Sequence, residues 1–360
     1  MNSINLQRIQ TALSRGLFGA PAVLITSPEN RLFASGFASS AGMHLITERE
    51  SIFITDFRYI EAAKASIENT DIIMIQRGQK YSDLINETAK RLGISEAAYE
   101  DVTMTASEAK NYESSLSFKM IPAGSAFSNL RAVKNEHELS LMRKAQEITD
   151  AAFADVLTRI HAGMTEREIR AELIYCLYRH GGDALSFDPV VVGGPNSSLP
   201  HGHATDRPVS EGEFLTMDFG VLYGGYCSDM TRTVCFGKPS NEMKNIYDIV
   251  LKAQLLGLKT AKAGLHWSRE CDGVVREFIS GFGYGPNFGH GLGHGLGIEV
   301  HESLDFDPEL PGIAPENGVV SVEPGIYLEG KFGVRIEDCV ILKPDGNENM
   351  TKSPKELICL

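Results

Sequence analysis

The sequence predicts a two-domain protein of mixed α/β (α+β) class, a smaller α/β domain followed by a larger one built around hairpins. Three observations lead there. At 360 residues the chain is long for a single hydrophobic core. Its first third alternates short apolar runs with helical stretches, and from residue 186 onward it turns to strands and glycine-rich turns.

In chain order, AVLIT (22–26), SIFIT (51–55) and IIMIQ (72–76) read as strands, and FRYIEAAKASIEN reads as a helix between them. The pattern breaks at IPAGSAFSNLRAVKN, where proline, glycine, serine and asparagine interrupt the periodicity. That places the boundary between Asn129 and Asn135, giving domains 1–130 and 131–360. A long helix follows, with Asn135 as cap, Glu138 three residues on, and Leu139, Met142, Ile148, Ala152 and Val156 at roughly helical spacing. Thr165 and Glu168 repeat the capping logic for a second helix, which Gly181 and Gly182 end. No internal repeat has a solenoid period.

Composition is that of a globular protein, 42% hydrophobic and 22% charged. A net charge of −13 argues against nucleic-acid or anionic-membrane partners, which call for clustered Lys and Arg. No run of about 18 apolar residues exists, and the start MNSINLQRIQTALSRG lacks the charged-then-apolar pattern of a secretory signal, so a cytoplasmic location is expected. The six cysteines show no CxxC or zinc-finger spacing and are read as reduced thiols without a role.

The chemistry concentrates in two hairpins. EFLTMDFG, VLYGGY and CSDMTRTVCF read as strand, turn, strand, with Asp229, Thr231 and Thr233 alternating against Met230, Arg232 and Val234. Asp218 and Asp229 are equidistant from the Tyr223-Gly224 step and are expected to face each other. VVSVEPGIY, LEGK and FGVRIEDCVIL repeat the design, with Glu323 and Glu337 equidistant from Gly330. Like charges directly opposed destabilise a sheet, so both pairs require a cation or a shared proton. An aspartic dyad sharing one proton leaves the second pair without a reason.

Between the hairpins, NFGHGLGHGLGIEVHES places His290, His294 and His301 within twelve residues. The spacing is not HExxH, which disfavours a single-zinc site of the thermolysin kind. Oxygen donors with one imidazole suit manganese first, then cobalt, iron or zinc. Four acids exceed what one divalent ion needs, whereas two ions about 3.5 to 4 Å apart would neutralise them and supply a nucleophile at neutral pH. Asp218-Phe219-Gly220 lacks the other kinase motifs, and GHGLGHGLG misses GxGxxG at every glycine.

These residues resemble the pita-bread metallopeptidases, in the aminopeptidase P and prolidase branch. NSSLPHG, MDFG, SDMTRT, GHGLGHGLGIEVHE, VEPGIY and GVRIEDCV stand in that family's order across the chain, and the first domain, with TDFRY at 55–59, is similar to its creatinase-like N-terminal domain. The resemblance implies that Asp218 chelates one metal, that His294 and Glu323 hold the other, and that Asp229 and Glu337 bridge. It implies that His201 and His301 contact substrate and tetrahedral intermediate, with Glu323 as proton shuttle. It groups His290, Tyr327 and Arg335 around the substrate, the last two behind the ligands. A homodimer is also implied.

The expected activity is removal of an N-terminal residue from peptides with proline in second position, with an Xaa-Pro dipeptidase as the alternative. A methionine aminopeptidase has no need of the first domain, and metal-free creatinase-like hydrolases lack these acids. A non-catalytic peptide-binding module predicts broken ligand positions, whereas all five are occupied by the expected types.

Overall fold

The structure is a computed structural model that describes residues 3–303 and 313–360. The chain divides after residue 131 into two compact units.

The first unit opens with helix α1 (Ser3–Ser14) and continues through β1 (Ala22–Ile25), α2 (Pro28–Ser35), β2 (Met43–Thr47), β3 (Ser51–Thr55), α3 (Ile60–Ser66), β4 (Asp71–Met74), α4 (Tyr81–Leu92), β5 (Glu96–Tyr99), α5 (Ala106–Ser115), β6 (Lys119–Pro122) and α6 (Ala126–Ala132). Its six strands form one mixed sheet in the order β4-β3-β2-β1-β5-β6. The three apolar runs become β1, β3 and β4, and every residue of β1 and β3 is buried, as continuous apolar strands covered on both faces must be. The Glu100 carboxylate is buried yet satisfied by the backbone N–H groups of Thr26 and Ser27 and by the Asn30 side chain.

The second unit begins with α7 (Glu136–Val156) and α8 (Glu166–Arg179). Both start in full capping boxes: the Asn135 and Thr165 side chains accept from the backbone of Glu138 and Glu168, whose carboxylates reach back. Next come β7 (Ala184–Leu185), β8 (Val190–Gly193), β9 (Phe214–Phe219), β10 (Val221–Tyr223), β11 (Tyr226–Cys227), β12 (Met230–Cys235) and α9 (Asn241–Thr260). A single π-helical turn, Ser268–Asp272, runs into α10 (Gly273–Gly281), followed by β13 (Val319–Val322), β14 (Gly325–Leu328), β15 (Phe332–Arg335), β16 (Asp338–Lys343) and β17 (Gly346–Asn349).

Two cores support the hairpins, and the two-residue strand period decides what faces each. Leu215, Met217, Phe219, Met230 and Val234 pack with apolar residues of α7 and α8. Val320, Val322, Ile326, Val334, Val340 and Leu342 pack with residues of α9 and α10. The alternate positions, among them Asp218, Thr231, Ser321, Tyr327 and Arg335, take part in neither core and turn to the opposite face. Among the described residues no helix is long and apolar enough to cross a membrane.

Candidate metal centre

The first hairpin departs from the expected register. Asp218 pairs with Thr231, not with Asp229, and the same register closes the turn at Tyr223 and Tyr226. The two central residues are therefore Gly224 and Gly225, both at positive φ (56° and 84°). A two-residue turn with positive φ at both positions suits Gly-Gly, whereas centring it on Tyr223-Gly224 would force a tyrosine there. The correction moves Asp229 by two residues, which preserves its face, so Asp218 and Asp229 lie diagonally on one side of the sheet.

The second hairpin keeps the expected register. Val322 pairs with Asp338 and Gly325 with Arg335, so Glu323 lies opposite Glu337 in the gap between β13 and β14.

A cavity of about 490 Å³ is lined by Asp218, Asp229, Glu323 and Glu337 together with His201, His290, His294, His301 and Arg335. One donor atom from each of Asp229, His294 and Glu337 lies within 4.8 Å of the others. The His294 Nε2 is 3.5 Å from Asp229 Oδ2 and 3.4 Å from Glu323 Oε1. Its Nδ1 lies 3.1 Å from the Gly295 carbonyl, which can only accept, so Nδ1 carries a proton and Nε2 is the nitrogen turned toward the carboxylates. The loop reaches this place because Gly293 has no side chain: a Cβ there would stand 2.1 Å from the Ser321 carbonyl oxygen.

Three of the carboxylates are held at one oxygen, and three have a bare oxygen. Glu337 Oε2 accepts from Thr231 Oγ1 at 2.7 Å, Glu323 Oε1 from Ser321 Oγ at 3.0 Å, and Asp218 Oδ2 from Arg335 Nη2 at 2.5 Å. Asp218 Oδ1, Asp229 Oδ1 and Glu337 Oε1 are buried without a hydrogen-bond partner. Burial, reinforced by neighbouring carboxylates, raises Asp229 and Glu337 well above the ordinary carboxylate range. Glu323 rises to about 7, driven by burial and opposed first by Arg335. Orphaned buried oxygens on closely spaced acids are costly unless cations take them, so the donor set fits divalent metal.

His290 differs from His294. Its Nδ1 lies 2.8 Å from the Gly291 carbonyl and must donate, so Nε2 accepts from the Tyr327 hydroxyl at 2.9 Å. Arg335 Nη1 in turn donates to the Tyr327 oxygen at 2.9 Å. Burial and Arg335 lower the His290 pKa to about 4, so the ring is neutral with both nitrogens engaged. Tyr327 does not line the cavity but stands behind His290 and Arg335. His201 and His301 are exposed at the cavity wall, and the His301 ring centroid is 4.4 Å from that of His294.

Sequence reasoning missed Arg232 and Asp338, a fully buried ion pair at 2.8 Å. Arg232 Nη1 also donates to the Glu337 carbonyl at 2.6 Å, anchoring the backbone of that acid. The available signal was an arginine in phase with Met230 and Val234 on the apolar face of a strand, a position that the structure shows to be buried.

The profile of metallopeptidase family M24 matches residues 140–344, and that of the creatinase/prolidase N-terminal domain matches residues 6–133. The Xaa-Pro dipeptidase of Pyrococcus furiosus is 32% identical over 93% of this chain and 94% of its own. The structure of an Xaa-Pro dipeptidase from Bacillus anthracis superposes with a TM-score of 0.94 at 38% identity, covering 100% of both chains. That of an X-Pro aminopeptidase from Thermotoga maritima gives 0.91 at 39%, covering 96% of this chain and 99% of the other.

Proposed function

The chain belongs to metallopeptidase family M24, and from that premise we propose that it is a two-metal dipeptidase hydrolysing Xaa-Pro dipeptides. It is a hydrolase of a metal-dependent peptidase family, with a creatinase-like N-terminal domain and a pita-bread catalytic domain. The sequence alone put longer peptides first; the dipeptidases of Pyrococcus furiosus and Bacillus anthracis support the dipeptide instead. The observation that carries the catalytic reading is the set of three partnerless carboxylate oxygens at the wall of one cavity.

Asp218, Asp229, His294, Glu323 and Glu337 would hold two divalent ions, with Asp229 and Glu337 shared between them. When bound, such ions supply a nucleophile at neutral pH and a Lewis acid for the scissile carbonyl. The oxygen-rich donor set favours manganese. Glu323, open to the cavity, takes the proton of the attacking water and passes it to the leaving proline nitrogen. His201 and His301 donate to the oxygen on which negative charge develops. With both nitrogens committed, His290 offers the cavity only ring carbon. That suits a proline ring, whose nitrogen brings no N–H needing an acceptor. Arg335 holds Asp218 in place.

The Thermotoga maritima aminopeptidase favours a second reading, in which longer peptides are also cleaved. Manganese-reloaded enzyme assayed on an Xaa-Pro dipeptide and its Xaa-Pro-Xaa tripeptide separates the two. Faster dipeptide cleavage is expected. Preference for the tripeptide would replace the dipeptidase by the aminopeptidase, and cleavage of neither would remove both. The family resemblance further supports a homodimer, which sedimentation analysis reads directly.

A further inference from the structure

The loop from Phe288 to His294 carries two site histidines but has glycine at 289, 291 and 293, so its own backbone does little to hold it. What holds its first half lies outside the loop. Asp272, at the end of the π-helical turn, is fully buried and pairs with Arg276 one turn on, Nε to Oδ1 at 2.9 Å and Nη2 to Oδ2 at 3.0 Å. The remaining capacity of this pair goes to alternate residues of the loop. Arg276 Nη1 donates to the Phe288 carbonyl at 2.8 Å and Nη2 to the His290 carbonyl at 2.7 Å, while Asp272 Oδ2 accepts from the Leu292 N–H at 2.8 Å. The guanidinium also lies 4.3 Å from the Phe288 ring centroid, and Phe288 meets His290 edge-on at 5.2 Å.

His294 has separate anchors. Its N–H donates to Ser321 Oγ at 3.0 Å, and its carbonyl accepts from the Ser321 N–H at 2.9 Å. The loop is therefore pinned by Ser321 at the candidate metal ligand, by the Glu323 N–H at the Leu292 carbonyl (2.7 Å), and by the Asp272–Arg276 pair around His290.

We propose that Asp272 and Arg276 are positioning residues: a backbone clamp, beyond the candidate metal ligands, that sets the His290 ring against the substrate. This rests on the Xaa-Pro reading above. The clamp is centred on His290, because the contacts it makes straddle that residue and stop short of His294, and Leu292 beyond it is held by the Glu323 N–H as well.

The test is Arg276→Lys, which keeps a cation beside Asp272 but lacks the planar fork needed to reach two carbonyls at once. Asp272→Asn, which keeps an acceptor for Leu292 while removing the charge that orients the guanidinium, serves as the second variant. Manganese affinity by titration calorimetry should stay within about twofold, while kcat/KM on an Xaa-Pro dipeptide falls about tenfold, the worth of one lost charge-assisted hydrogen bond. In a His290→Ala background the same substitution should cost less than about twofold, because its target is gone. Independently of activity, the imidazole nitrogen resonances of His290 in the metal-free protein should shift in Arg276→Lys while those of His294 stay. Additive losses in the double variant, or a fall in manganese affinity with His290 resonances unmoved, would overturn the clamp. Wild-type protein inactive on every Xaa-Pro substrate would instead remove the functional reading, and the resonance shifts would still decide the clamp.

Discussion

Glu323 makes the stability of the metal-free protein depend on pH in a direction opposite to that of an ordinary salt-bridged acid. Its carboxyl is 15% exposed; burial raises it, Arg335 lowers it, and Asp218 raises it again, to about 7 against an ordinary value of 4.5. Below pH 4.5 the group is protonated in both folded and unfolded chains and contributes nothing. Between 4.5 and 7 the folded chain keeps a proton that the unfolded chain has released, so stability falls as pH rises. Above 7 the full cost is present, on the order of 3 kcal/mol at 1.36 kcal/mol per pKa unit. Asp229 and Glu337, also raised, add to the same fall, while His44 and His290, lowered by burial to about 3 and about 4, push the other way, so the slope of the wild type alone does not isolate Glu323. The informative perturbation is Glu323→Gln, which removes this titration, leaves both histidines and relieves Asp229 and Glu337 of one neighbouring charge, a change of the same sign. Urea unfolding in excess chelator, at steps from pH 4.5 to 8, should show the variant gaining about 3 kcal/mol on the wild type across that range. Excess manganese should reverse the order at pH 8, because ligand binding to the folded chain stabilises the wild type. A gap that stays constant within about 0.5 kcal/mol across the pH range would refute the reasoning, since it would mean the carboxyl titrates alike in both states.

Asp229→Asn and Glu337→Gln should each lose bound metal and activity together, measured by elemental analysis after dialysis and by peptide assay; two ions at full occupancy in either variant would remove the bridging role. His201→Ala and His301→Ala should keep their metal while kcat falls about 10²- to 10³-fold, and near wild-type kcat in both would contradict their part in stabilising the intermediate. At equal metal loading, an Xaa-Pro substrate should be cleaved about 10²-fold or more better in kcat/KM than its Xaa-Ala match. The alanine brings an N–H that costs about 1 to 3 kcal/mol to bury unpaired, and it loses the apolar contact of the ring. Rates within about threefold, a difference of about 0.65 kcal/mol, would leave a two-metal hydrolase without proline specificity.

What could be read from the chain was governed by neighbours in sequence. The capping boxes at Asn135 and Thr165 needed only residues three apart, and the register that opposes Glu323 to Glu337 followed from a short turn at Gly330. The order of the motifs was enough to identify the family. In the first hairpin, arithmetic chose the wrong midpoint because it ignored which residues tolerate positive φ, yet the two-residue error left the face of Asp229 unchanged.

The sequence by itself thus determined the elements, the family and the residues available for a metal. Tertiary structure decided what each of those residues can do. Thr231 reaches Glu337 across 106 positions, and Arg232 reaches Asp338 across another 106, so one strand serves both the carboxylate and the backbone of the same acid. His290 and His294 look alike in GHGLGH, but Tyr327 takes the free nitrogen of the first, while the second turns its Nε2 toward two carboxylates. No local rule separates the two histidines. The tautomer of both follows from the same local contact of Nδ1 with the next carbonyl, but what each Nε2 meets is set by partners brought from distant segments, and an unmatched polar group in the interior costs more than one left in water.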